Sequence, residues 1–227
     1  MRPVVFLLAA FACLSLSRAS AQEVPRIKAR ILSFDGKVLT VTSGTAGQNL
    51  TITLMPQARL MYEDKADALS IKPGDYLGAT LAKSGGRWQA QEAHLLPDML
   101  RGAGEGLYPL PSSPDDRIVT GPVTANDPAG GLVTVSFRGS VGSDGPTCTG
   151  RAPREGGCKG EVIFALPAKA QVIAIKPGDK SMLVAGKVAA ISVVAGPDGH
   201  LATPGLTIEN ETGGEVLDVA PKRPPTK

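Results

Sequence analysis

The chain has 227 residues, of which 20% are charged and 4% aromatic, with 27 Gly, 19 Pro and a formal charge of +3. Gly and Pro recur often enough to interrupt nearly every helical window, so the composition excludes a helical bundle. It points instead to short strands and tight turns around a core of Val, Ile, Leu and Ala, and the glycines have no period of three that would suggest collagen.

The first predicted element is an export signal. Arg2 supplies a positive start, Val4 to Leu16 form an uncharged apolar run, and Ala19-Ser20-Ala21 gives the small-x-small pattern before Gln22, so residues 1–21 are expected to be removed. The run is shorter than the roughly 20 residues of a spanning helix, and no later stretch is long and apolar enough to span. The mature chain is therefore expected to be soluble and periplasmic or secreted. A lipidated Cys13 is the lesser alternative, because Phe11 before Ala12 fits that signal poorly.

Cleavage takes Arg2 and Arg18 from the 24 basic residues and none of the 21 acidic ones, leaving a formal charge of +1. A near-neutral chain lacks the electrostatic footprint of a nucleic-acid binder. Cleavage also removes Cys13 and leaves Cys148 and Cys158 as an even pair, which in an exported protein favours a disulfide. Gly150, Pro153, Gly156 and Gly157 between them allow a hairpin-like excursion. Closing so short a loop contributes about 2–3 kcal/mol in the chain-entropy model. A redox pair is disfavoured, since the spacing is far from Cys-x-x-Cys.

Residues 22–97 read as a first β module. Arg26 to Ser33 alternate as a half-buried strand, Asp35-Gly36 centres a turn, and Val38 to Thr42 return, which is a hairpin signal. Leu50 to Leu54 follow, then Pro56, then Ala58 to Tyr62, with one helical turn expected in Ala66 to Ile71. Lys72-Pro73-Gly74-Asp75 turns into Tyr76 to Leu81, and a hairpin over Ser84-Gly85-Gly86 ends in Trp88 to Leu95.

Residues 98–115 are a Gly/Pro-rich junction, residues 116–209 a second β module, and residues 210–227 a Pro/Lys tail. The second module follows the order of the first, as a weak internal repeat: Arg117 to Thr124, a turn at Asp127 to Gly131, Leu132 to Phe137, then the disulfide excursion. Glu161 to Leu166, Gln171 to Ala174, Val188 to Val193 and Leu201 to Ile208 complete it. The pentapeptide Ile-Lys-Pro-Gly-Asp occurs at Ile71 to Asp75 and at Ile175 to Asp179, yet aligning the two breaks the strand order. Gly74 corresponds better to Gly186, each leading into an apolar strand. The expected fold class is all-β with little helix: two small antiparallel modules in tandem, OB-like barrels or else small sandwiches, since short meandering strands must close or stack to hide their edges.

The strand, Asp-Gly turn, strand, Pro, strand and Ile71 to Asp75 order resembles a domain of unknown function of bacterial envelope proteins, which implies small OB-type barrels. His94-Leu95-Leu96-Pro97-Asp98-Met99-Leu100-Arg101-Gly102-Ala103-Gly104-Glu105-Gly106 resembles the signature of exported two-copy proteins from alphaproteobacteria. The family pattern places a His and a Trp after that string; Leu107 and Tyr108 stand there in this chain, which undercuts a metal site carried over from the family.

Two candidate sites follow from the residues. Arg101 and Glu105 among Gly102, Gly104 and Gly106 could hold a carboxylate or phosphate against exposed backbone N–H groups, with an ordered linker as the blander alternative. His94, Asp98 and Glu105 are the candidate metal ligands, a thin set for a transition metal. No Gly-x-Ser-x-Gly elbow exists: Gly139 to Gly145 is a Gly/Ser loop in the wrong phase. The expectation is therefore a non-catalytic binding or scaffolding protein of the envelope, without cofactor, serving an envelope protein or small ligand. A metal-handling accessory protein and an envelope enzyme are the alternatives. A binding module predicts a groove without clustered titratable groups, and an enzyme predicts acid, base or nucleophile side chains converging in a cleft.

Overall fold

The computed structural model describes residues 25–43, 47–142, 145–153, 155–167, 170–196 and 198–210. The expected signal at 1–21, with Cys13, and nearly all of the tail lie outside them. The described chain is nearly all β: β1 Arg26–Phe34, β2 Val38–Ser43, β3 Gln48–Lys65, β4 Tyr76–Ser84, β5 Arg87–Leu96, β6 Gly106–Leu110, β7 Ser113–Asp127, β8 Leu132–Gly139, β9 Cys158–Ala165, β10 Gln171–Pro177, β11 Val188–Ala195 and β12 Leu201–Ile208. Helix is limited to three-residue 3₁₀ turns at Ala68–Ser70, Asp98–Leu100 and Lys180–Met182. Among the described residues no helix is long and apolar enough to cross a membrane.

Turn chemistry fixes the hairpins locally. Between β1 and β2 the Asp35 carboxylate accepts from the backbone N–H groups of Lys37 at 2.9 Å and Val38 at 2.7 Å. Gly36 takes the positive φ of 101° that the reversal needs.

Five strands close into a barrel in the cyclic order β1–β2–β3–β12–β11 and back to β1. Alternation puts Ala29, Ile31, Leu39, Val41, Ile52, Leu54, Ala189, Ile191, Leu206 and Ile208 inside it. The strands β7, β8, β9, β5 and β4 surround a second core in the same cyclic order. There β9 meets β5 at the single pair Gln89 and Ala165, and β10 takes over alongside β5 from Gln171. Phe137, Phe164, Val133, Val135, Leu77 and Leu81 fill this core.

Each ring draws on both halves of the sequence. β1 to β3 are closed by β11 and β12, while β7 to β9 are closed by β4 and β5. The stretches 22–97 and 116–209, expected above to be self-contained modules, therefore each surrender a closing hairpin to the other. The physical reason lies in β3. It has 18 residues, a reach of about 60 Å when extended, and it runs straight on where the sequence reading broke it at Pro56. The lost N–H of Pro56 falls in an irregularity of the β3–β12 ladder, between the pairs Leu54–Thr203 and Arg59–Gly205, where no ladder bond is required. Its far end, Met61 to Lys65, pairs with β10, and the chain is delivered beside the second core before β4 begins.

The two hairpin entries are made alike. Gly74, at φ 94°, donates its N–H to the Val123 carbonyl of β7 at 2.8 Å. Gly186, at φ 92°, donates to the Ile31 carbonyl of β1 at 2.8 Å. In each case a short turn, N-capped by Asp67 or Asp179, leads in.

Candidate functional site

The junction string is engaged with the protein itself. Arg101 donates to the Asp98 carboxylate at 2.8 Å and to the Gly74 carbonyl at 3.1 Å, and its guanidinium lies 5.3 Å from the centre of the Tyr76 ring. Glu105 is buried. Its oxygens accept from the Arg138 backbone N–H at 3.0 Å, from Nε at 3.2 Å and from Nη2 at 2.9 Å. The side-chain hydrogen bonds from Arg138 come first among the causes that hold the Glu105 carboxyl below its ordinary value.

The glycines of the string serve the same clasp. A Cβ at Gly106 would stand 2.8 Å from the Gly150 carbonyl oxygen and 2.9 Å from Arg151 Cα. The Ala152 N–H donates to the Glu105 carbonyl at 2.9 Å, and the Arg151 guanidinium covers Tyr108 at 4.6 Å. The excursion pressed against the junction is the one closed by Cys148 and Cys158, disulfide-bonded with their Cα atoms 5.6 Å apart. Gly102 and Gly104 turn the chain at positive φ, and the Tyr108 hydroxyl donates to the Gly104 carbonyl at 3.3 Å.

The three candidate metal ligands have separate partners. His94 Nε2 lies 3.4 Å from a Glu92 oxygen, Asp98 pairs with Arg101, and Glu105 with Arg138. Among the described residues no three His, Cys, Asp or Glu side chains stand close enough together to hold a metal ion. His200 lies in the β11–β12 turn, where its backbone N–H donates to Asp198.

A larger feature lies between the two rings, a cleft of about 890 Å³. The alternation that fills the cores builds it. Ala29 and Ile31 of β1 point inward, so Arg26 and Lys28 point out; Ala93 of β5 is buried, so Glu92 and His94 face the other way. β12 turns Leu206 and Ile208 inward and Thr207 and Glu209 toward the cleft. Glu63, from the far end of β3, joins them, and Leu96, Leu100, Ile118 and Ile175 supply apolar wall.

The charges of the cleft are partly matched. Lys28 Nζ lies 2.6 Å from Glu209, and Arg26 donates to the Thr207 hydroxyl at 3.2 Å. Burial pushes the Glu63 carboxyl up, with the negative charges of Glu209 and Glu92 adding to it and the Asn210 N–H and Lys28 opposing. Burial pushes the His94 imidazole down; Glu92 works against this and Arg26 adds to it. Burial thus disfavours the charged form of the His94 ring beside the Glu92 carboxylate. Of these residues the sequence reading had singled out only His94, and with other partners. Outward-facing charges on strands are ordinarily a solvated face, and nothing local says that two such faces meet.

No family model, curated protein or solved structure matches the chain.

Proposed function

We propose that the protein is a non-catalytic binding module of the bacterial envelope, with its ligand seat in the cleft between the two rings. The observation that carries this is the cleft itself. It falls in the size range of small-molecule sites, with an apolar wall and a few converging polar groups, and residues from both halves of the chain build it. Export is part of the proposal and rests on Arg2, the run Val4 to Leu16, and Ala19 to Ala21; sequencing the N-terminus of protein from an envelope fraction should give Gln22. The internal repeat also belongs here, supported by the matching bonds of Gly74 and Gly186.

Native mass spectrometry of the protein recovered from envelope extract tests the seat. Ala190 borders the cleft, between the inward-facing Ala189 and Ile191, so Ala190→Trp fills the space without entering the barrel. The wild type should carry a bound species that the variant lacks; equal occupancy in both would remove the cleft as the seat.

One observation favours the enzyme alternative: Glu63 and His94, shifted in opposite directions, line the same cleft, as acid and base do in catalytic sites. Turnover of a recovered ligand by wild type and not by a Glu63→Gln variant would decide for that reading.

A further inference from the structure

Resting on that reading of the cleft, we infer that its ligand carries a cationic head, a primary ammonium or a guanidinium on an apolar stem, seated between Glu63 and Glu92. Three carboxylates and two permanent cations line the space. Lys28 is committed to Glu209 at 2.6 Å, and Arg26 is turned onto the Thr207 hydroxyl at 3.2 Å. Among the described residues the ion-pair partner of Glu92 is the imidazole of His94, at 3.4 Å, whose charged form burial disfavours. Glu63 takes the Asn210 backbone N–H and, among the described residues, forms no ion pair.

Among the described residues the protein thus brings two carboxylates into a half-enclosed space without a Lys or Arg ion pair to either, Lys28 acting on Glu63 only from its place beside Glu209. An anionic head would add a third like charge there, and a neutral one would leave the excess in place. A single cation between them is attracted by both, in surroundings less screened than bulk water. The wall sets the other half of the ligand. Leu96, Leu100, Ile118 and Ile175 offer apolar surface, and an alkyl or aromatic stem covers it where a bare metal ion does not. The volume of about 890 Å³ is that of a molecule of drug size rather than an ion.

Three probes of equal length test the inference on the intact mature chain: hexylammonium, hexanoate and hexanol at pH 7.5, followed by the backbone amide shifts of Gly78, Thr80 and Thr120. Hexylammonium should shift these amides saturably and bind at least tenfold more tightly than the other two. Glu63→Gln and Glu92→Gln should each weaken it severalfold while leaving hexanol unchanged. In the wild type, raising the salt from 50 to 500 mM should weaken hexylammonium alone, which keeps the test independent of whether a variant folds. If hexanoate or hexanol binds as well as the amine, the cationic head is wrong and the seat stands. If no probe moves these amides, the seat falls with it. Amine binding untouched by salt and by both substitutions would also overturn the assignment.

Discussion

Exchange of closing hairpins makes the two halves of the chain dependent on each other, and cutting the junction exposes that dependence. Consider residues 22–97 and 98–210 prepared as separate polypeptides. The first retains β1 to β3 but loses β11 and β12, and with them Ile191, Val193, Leu206 and Ile208, all buried in the first barrel. At about 1.5–3 kcal/mol for each fully buried side chain, the loss is about 6–12 kcal/mol, taken against an extended reference and so an upper value. The whole stability of an ordinary domain is about 5–15 kcal/mol. The second polypeptide loses Leu77, Ala79, Leu81, Ala90 and Ala93 from its own core and is no better placed. Each piece alone should show a disordered circular dichroism spectrum and bind a hydrophobic dye. An equimolar mixture should regain the β spectrum and elute as a one-to-one complex the size of the mature chain. Two stable, monomeric β barrels that ignore each other on mixing would refute the exchange.

Three further outcomes follow from the clasp. Glu105→Gln removes charge-assisted bonds worth about 1–3 kcal/mol, with the lower end expected because the Arg138 side chain is 67% exposed. The Glu105 carboxyl is held below its unfolded value, so its contribution is present above that value and disappears as pH falls through the lowered folded one. The urea midpoints of wild type and variant should differ at pH 7 and converge in acid; an equal gap at both would contradict this. Gly106→Ala places a Cβ 2.8 Å from the Gly150 carbonyl at a φ of 139° and should cost about 2 kcal/mol or more. Gly36→Ala, with positive φ but open space around it, should cost about 1 kcal/mol, and equal melting shifts would refute the steric argument. Replacing Cys148 and Cys158 together by Ser should lower stability by about 2–3 kcal/mol, a difference that vanishes when the wild type is measured reduced.

What the sequence made legible was local. The half-buried alternation of β1 and β2 followed from their residues, the Asp35-Gly36 turn from its dipeptide, and the Cys148–Cys158 pair from cysteine parity. The exchange was hidden because strand order along the chain is the same whether β4 and β5 close their own ring or the other. Pro56 misled for a related reason. Proline reads as a strand break, yet at a ladder irregularity it costs no bond, and the uninterrupted β3 that results is what carries the chain across. The Arg101 to Gly106 string reads either as a ligand site or as an ordered linker, because glycines beside charges mark both anion sites and tight backbone approaches. The tight approach of Gly106 to the Gly150 carbonyl is invisible in the sequence, because residues forty-odd positions away set that distance.

The same exchange supports the seat proposed for the cleft. In a tandem of independent barrels, the outward faces of β1 and β5 would be free to turn from each other. Here β3 and β10 are hydrogen-bonded to each other, and β10 runs parallel to β5. Arg26 and Lys28 on β1 are therefore held across the cleft from Glu92 and His94 on β5 by one continuous sheet rather than by a hinge. A seat built on strands is positioned more firmly than one built on loops, and its polar groups need little reordering when a ligand arrives. The junction string, locked to Arg138 and to the disulfide excursion, follows directly on Leu100 of the cleft wall, while none of Arg101 to Gly106 lines the cleft. It stiffens the second ring, and through the pairing of β5 with β10 it steadies the wall that carries His94 and Glu92. A clasp with that role should be measured by stability first and by binding only through it, the reverse of what a ligand loop at Arg101 and Glu105 would show.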